Sequence, residues 1–416
     1  MPDLARAEPA APRGGGSSRL LAAIGLVLVA TALWVRWWDV PWSGLDLRVY
    51  LAGARAVVAG QNLYAVGVSD GHGGILQFSY PPFAALAFVP LGWTGGAAAA
   101  TLTVASLASY AVMGVLCARS LGWGARRVAI LLAVGVVLEP VQRTLLYGQV
   151  NLILAAMVLL DLFAVPRSRR GLLIGVAAGI KLTPAIFVVY YLLRRQWAAA
   201  GRVGASFVAT VVVGWLVLPA DSARFWLHGL GSMSQFGGEV VLAGNQSIRA
   251  VVERGSQLHG VPTSVVGLVT WTLCAAALVL TLMAAKLQSE AGDRLAVVVA
   301  LGLGGLLISP VSWTHHWVWV VPAIALMVGR GWRVLAAVTV AGFFLPPMWA
   351  LAPPPDLQPG YTPVELVLSA AFALWAVLLL VVLLVDGRRT VRRRCARTEL
   401  MQAAPRPASS SAQVHV

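Results

Sequence analysis

Charge is what this sequence has least of. Only 11% of its 416 residues are Asp, Glu, Lys or Arg, while 59% are hydrophobic. An ordinary soluble domain carries about 25% charged residues, so a soluble multi-domain chain is excluded. Mean hydropathy is +0.79. Cysteine is equally sparse. Cys117, Cys274 and Cys395 fall near a basic loop, inside an apolar run and in a basic tail, so no disulfide framework or zinc spacing can be read from them. There is no HExxH pair, no cluster of carboxylates and no internal repeat. Also missing are matched broken segments in two halves, the pattern of many transporters. The sequence implies no metal and no cofactor.

What is present is a series of apolar runs. They cover about 20–38, 95–117, 126–138, 149–165, 170–181, 182–194, 203–219, 262–286, 292–309, 316–330, 332–347 and 362–386. A span needs about 20 apolar residues, so an all-α polytopic membrane protein with about 11–12 transmembrane helices is expected. The pair across 170–194 holds Gly179, Lys181 and Pro184 in too few residues for two full spans, and reads as two short, broken helices. Residues 82–92, bracketed by Pro82 and Pro90, read as a re-entrant or interfacial helix. Ala30-Thr31-Ala32 could mimic a signal-peptidase site, but the run continues through Val35 to Trp37 and Trp38, so 20–38 is read as a retained first span.

The formal charge of +15 would suggest nucleic acid in a soluble protein. Here 23 of the 31 Lys and Arg residues lie in the two tails and in every second connection. That is positive-inside bias, and it removes nucleic acid as a partner. Both termini are expected in the cytoplasm of a cell with this chain in its cytoplasmic membrane. The expected organisation is a disordered tail 1–18, a membrane domain 19–386 and a basic disordered tail 387–416. The outer loops 39–82 and 220–261 form its active face.

The unusual residues gather on that face. In DLRVYLAGARAVVAGQNLY, Leu47, Leu51, Ala54 and Val58 follow helical spacing, while Arg48 and Arg55 share another face. The pattern predicts an amphipathic helix on the membrane surface. Asp46 stands at its first turn and Tyr50 one turn on. Aspartate there either caps free N–H groups or does chemistry on something the membrane delivers. QFSYPPFAALAFVPLG brings Tyr80 and Phe83 to a cleft, with Pro81 and Pro82 starting the next helix. EPVQRTLLYGQVNLIL puts Gln149 and Asn151 at the mouth of a span, where an unpaired amide is costly. In GIKLTP, Lys181 lies between two apolar pieces and must snorkel or pair; a phosphate would be an apt partner. AGNQSIRAVVERG offers Asn245, Gln246 and an Arg249–Glu253 pair at i, i+4, and its Asn-Gln-Ser triplet also fits a glycosylation acceptor. ISPVSWTHHWVWVVP places His315 and His316 in an aromatic belt. Adjacent histidines point to different sides of a helix, so one should face a cleft.

DLRVYLAGARAVVAGQNLY, FSYPPFAALAFVPL, YGQVNLILAAMVLLDL, GIKLTPAIFVVYYLLRR, GNQSIRAVVER and SPVSWTHHWVWVVP together resemble, in that order, the signature stretches of glycosyltransferase family 87, over roughly 44–330. The resemblance implies the GT-C architecture. It also implies an actinobacterial α-1,2-mannosyltransferase using polyprenyl-phosphate-mannose. The acceptor would be a mannosylated phosphatidylinositol lipid, lipomannan or lipoarabinomannan, outside the cytoplasmic membrane. Asp46 takes the place of the acidic residue of the first outer loop and would act as general base in one inverting displacement. Lys181, with Arg143 or Arg249, would hold the donor phosphate. Tyr50, Tyr80, Gln149, Asn151, Asn245, Gln246, His315 and His316 would contact substrate. Two rivals share these features: a transporter or flippase of a lipid-linked sugar, for which Asp161 is the nearest mid-membrane acid, and a transferase with a pentose donor.

Overall fold

The computed structural model describes residues 43–71, 74–229, 241–257, 261–351 and 362–403. The run 20–38 and the tail 1–18 lie outside the described residues. Within them the chain is helical except for one small hairpin, β1 (Gly67–Ser69) antiparallel to β2 (Ile75–Gln77). In chain order the helices are α1 (Leu45–Val58), α2 (Pro82–Trp93), α3 (Ala98–Ser120), α4 (Ala125–Val136), α5 (Glu139–Tyr147), α6 (Asn151–Phe163), α7 (Leu172–Ile180), α8 (Val188–Leu193) and α9 (Trp197–Val217). Then come α10 (Pro219–Ala223), α11 (Ile248–Gln257), α12 (Thr263–Glu290), α13 (Arg294–Ile308), α14 (Val320–Gly329), α15 (Arg333–Phe344), α16 (Pro347–Leu351), α17 (Pro363–Ser369) and α18 (Ala371–Ala403). Short 3₁₀ turns at Thr183–Phe187 and Thr314–Trp319 lead into α8 and α14.

Each apolar run from residue 82 onward coincides with a helix, as an all-α polytopic membrane protein requires. Among the described residues full-length spans are fewer than the runs. Gly95–Ser120, Trp197–Val217, Thr263–Glu290 and Ala371–Ala396 are long and apolar enough to cross a bilayer, and α4 with α5, bent by 68°, makes a fifth as one broken span. The others are shorter because Gly148, Lys181 and the Ser309–Ser312 stretch interrupt helical hydrogen bonding between them. Those interruptions are where the polar residues collect. Beyond Asp386, where a disordered tail is expected, α18 continues to Ala403. Extending an existing helix needs no new nucleus, and Arg, Leu and Ala favour it.

α13 lies at the centre: every residue from Leu295 to Leu307 is buried, as a helix apolar on all sides must be. α12 packs on one side of it and α18 on another. α7 meets α9 through Gly171, Gly175 and Gly179, one turn apart. A Cβ on Gly175 would lie 1.9 Å from Ser206 Oγ and 2.4 Å from the Val203 carbonyl, so only glycine permits this approach. Asp161 is fully buried and caps α7, accepting from the backbone N–H of Gly171 at 2.6 Å, Leu173 at 2.7 Å and Ile174 at 3.2 Å, and from the Tyr191 hydroxyl. Its lone pairs are used by the fold, which removes the best intramembrane acid for a transport path.

Candidate active site

α1 begins at Gly44, whose φ of 50° and ψ of 29° suit glycine, and no side chain caps the helix. The Gly44 N–H donates to the Leu146 carbonyl at 3.0 Å. Gly148 (φ 66°) ends α5 with no side chain, and a Cβ there would come within 2.8 Å of Leu47 Cβ. These two glycines seat the start of α1 on the break between α5 and α6. α1 buries Leu47, Val49, Tyr50 and Ala54 and packs on α2. Val58, expected on the apolar face, is 70% exposed. The helix therefore rests on protein, and its buried stripe ends a turn early.

Asp46 is not the cap. Its Oδ1 accepts from Gln149 Nε2 at 2.9 Å, and Oδ2 takes no hydrogen bond among the described residues. The orientation of the Gln149 amide is set by its other end, because Gln149 Oε1 accepts from the Val150 backbone N–H at 3.0 Å and from the Tyr50 hydroxyl. Nε2 must then face Asp46, and it donates to the Tyr80 hydroxyl at 3.0 Å as well. Tyr50 stacks on Phe88 with ring centroids 4.2 Å apart and is completely buried. Burial, reinforced by the charge of Asp46, pushes both tyrosine hydroxyls well above their ordinary range, so they remain neutral. The same burial raises the half-buried Asp46 carboxyl to about 7, against the opposing pull of Lys181 and the Gln149 hydrogen bond. A carboxylate titrating near neutrality with one free oxygen is suited to taking a proton.

Lys181 follows α7 in extended backbone, at φ −147° and ψ 127°. Its ammonium donates to Asn151 Oδ1 at 2.9 Å, meets His316 Nε2 at 3.0 Å, and sits 5.7 Å over the Tyr80 ring. Asn151 in turn donates from Nδ2 to the His315 carbonyl at 2.8 Å, which also accepts from Thr144 Oγ1 at 2.9 Å. Lys181 feels the charge of Asp46 without pairing with it directly. A base and a cation thus stand apart on neighbouring walls. Behind Lys181 opens a small cleft, partly open to its surroundings. Asn151, Lys181, Thr183 and His316 form its polar end, while Leu154, Ile186, Phe187, Leu306, Val318 and Trp319 form an apolar one.

Six expected residues are therefore brought together with Asp46: Tyr50, Tyr80, Gln149, Asn151, Lys181 and His316. His315 is adjacent, its ring 4.7 Å from that of His316 and turned to Tyr147. The other expected residues are engaged elsewhere in the fold. Asn245 is fully buried, its Oδ1 accepting from the N–H of Ser247 at 3.2 Å and of Ser312 at 2.9 Å. Gln246 Nε2 donates to the Ala243 and Ser369 carbonyls, both at 2.6 Å, and its Oε1 accepts from Phe372 N at 3.0 Å. Both amides latch the loop before α11 onto the loop after α13 and onto α18, and a buried Asn245 is no glycosylation acceptor. Arg249 pairs with Glu253 at 2.6 Å, and Arg143 with Glu139 at 3.4 Å; neither lines the cleft. Glu139, Tyr147 and Trp349 were not singled out from sequence. The i, i+4, i+8 spacing of Glu139, Arg143 and Tyr147 was the available signal.

Comparison with known proteins adds independent findings. A family model described as glycosyltransferase family 87 matches residues 78–310. A Mycolicibacterium smegmatis protein named polyprenol-phosphate-mannose-dependent alpha-(1-2)-phosphatidylinositol pentamannoside mannosyltransferase is 35% identical over 74% of this chain and 79% of its own length. A Mycobacterium tuberculosis protein named polyprenol-phosphate-mannose-dependent alpha-(1-2)-phosphatidylinositol mannoside mannosyltransferase is 32% identical over 91% of this chain and 92% of its own. No solved structure matches the chain.

Proposed function

The chain belongs to glycosyltransferase family 87, and from that premise we propose that it moves mannose from polyprenyl-phosphate-mannose to a phosphatidylinositol mannoside with inversion, forming an α-1,2 linkage. The observation that carries this reading is a free carboxylate oxygen on Asp46 within electrostatic reach of a separate cation, Lys181, which stands at the polar end of a largely apolar cleft. The cleft suits a ligand with an anionic head and a hydrocarbon tail. In the reaction Asp46 Oδ2 takes the proton of the acceptor hydroxyl as its oxygen bonds to C1 of mannose. The bond from C1 to the phosphate oxygen breaks on the opposite side, and polyprenyl phosphate leaves with the electron pair. Lys181, held in place by Asn151 and His316, meets the growing negative charge. One carboxylate suffices because phosphate needs no protonation to leave, unlike the alkoxide of a glycoside.

Radiolabelled polyprenyl-phosphate-mannose given to purified protein with a phosphatidylinositol mannoside should yield a labelled lipid sensitive to an α-1,2-specific mannosidase. No label on the lipid, or label from a pentose donor instead, would defeat the reading. Free label crossing a vesicle membrane without transfer would favour a transporter.

The site is proposed to face away from the cytoplasm, supported by the basic residues of alternate connections. In a chain freed of its own cysteines, Ser69→Cys should react with an impermeant thiol reagent in intact cells and Ser168→Cys should not. Both positions are exposed. The reverse labelling pattern would invert the orientation.

A further inference from the structure

Among the described residues two buried polar atoms beside the site, Glu139 Oε2 and His315 Nε2, make no hydrogen bond of ordinary geometry, although the Thr314 side chain also interacts with the Glu139 carboxyl. Glu139 is 8% exposed and His315 6% exposed, and such orphaned groups call for an explanation, of which a ligand is one. They flank a single patch. Arg143 runs along α5 between Glu139 and Tyr147, donating to the Tyr147 hydroxyl, and its guanidinium lies 4.9 Å over the Trp349 ring. Trp349 Nε1 donates to Glu139 Oε1 at 3.2 Å, which leaves Oε2 as the free oxygen. Tyr147 meets the His315 ring edge-on at 5.3 Å. Trp349 is 42% exposed, held by Glu139 on its edge and Arg143 on its face.

The chemistry of this patch differs from that of the cleft. It offers a partly exposed indole, a half-buried guanidinium, a carboxylate and an imidazole. An aromatic plate with polar groups at its rim fits a pyranose, whose C–H face stacks while its hydroxyls bond sideways. A guanidinium beside it fits a phosphodiester. Gln149, the residue that holds Asp46, follows Tyr147 by two positions in the chain.

We propose that Glu139, Arg143, Tyr147, Trp349 and His315 form the acceptor subsite, taking the mannosylated inositol-phosphate head of the acceptor lipid. Trp349 stacks on a mannose, Arg143 reaches the headgroup phosphodiester, and Glu139 Oε2 and His315 Nε2 take sugar hydroxyls. This rests on the mannosyl-transfer reading for the identity of the ligand, and it reassigns Arg143 from the donor phosphate to the acceptor. Lys181 and His316 keep the donor, so the two histidines divide the substrates between them.

The test is direct binding, independent of turnover. Deacylated phosphatidylinositol dimannoside is titrated calorimetrically into the purified full-length chain in detergent, with thermal unfolding of each variant as the folding control. Trp349→Ala and Arg143→Ala should weaken binding tenfold or more, Glu139→Gln severalfold, and Trp349→Phe should recover part of the loss. Arg55→Ala, on the exposed face of α1, is the neutral control. Wild-type affinity in folded Trp349→Ala and Arg143→Ala would overturn the proposal. So would weakening by Lys181→Ala alone, or a wild-type chain that binds no headgroup. A wild-type chain that binds it, loses it in these variants and yet transfers no mannose would uphold the subsite and defeat the transfer reading instead.

Discussion

Asp46→Asn should fold, still bind donor, and lose on the order of 10²–10⁴-fold in transfer rate. The substitution is unusually clean here because an asparagine oxygen can still accept from Gln149 Nε2, which donates to Asp46 at 2.9 Å. Nor does it disturb a helix cap, since α1 starts at Gly44 with no side-chain cap. What it removes is the free oxygen that can hold a proton. The pH profile gives a second readout. The carboxylate is the active form, and burial sets its midpoint at about 7. Wild-type kcat/KM should therefore level off above pH 7 and fall about tenfold per unit below it, as for a single titrating base. In Asp46→Asn that acid limb should disappear along with most of the rate. A variant of near-normal activity would end the case for Asp46, and His315 and His316, the first with an unpartnered ring nitrogen among the described residues, would be the next candidates.

The contrast between Asp46 and Asn245 shows what the sequence makes legible. Periodicity located α1, α2 and the apolar helices because burial imposes a repeat that any helix must obey. Residue type and depth marked Lys181, Gln149 and Asn151, since polar groups near lipid need partners. Asn245 and Gln246 enter through the family resemblance, and in the fold both are buried in backbone contacts. A buried amide is equally satisfied by substrate or by backbone carbonyls, and only the fold shows that Gln246 bonds to Ala243, Ser369 and Phe372. The Arg249–Glu253 pair is legible from its i, i+4 spacing, and Arg143 faces Glu139 at the same spacing. Trp349, 210 residues from its partner Glu139, left no local trace at all.

Lys181→Ala should lower kcat/KM for polyprenyl-phosphate-mannose by about 10²–10³-fold, the usual cost of removing a preorganised group from developing negative charge. The ammonium sits between Asn151 Oδ1 at 2.9 Å and His316 Nε2 at 3.0 Å, so it is held in place before the donor arrives. Alanine leaves both acceptors without their donor and opens the polar end of the cleft. Lys181→Arg should keep part of the activity, because charge is retained while reach and planar geometry change. A snorkelling lysine would also tolerate arginine, so charge alone does not separate the two roles. The acid limb of the pH profile does. Lys181 is the largest influence holding the Asp46 carboxyl down against burial; without it the carboxylate loses a nearby positive charge and its midpoint must rise. In Lys181→Ala the fall in kcat/KM should therefore begin at a higher pH than in the wild type, and Lys181→Arg should restore much of the original midpoint. Wild-type kinetics with an unmoved limb in a folded Lys181→Ala chain would leave Lys181 as a membrane anchor and the donor phosphate without its principal ligand.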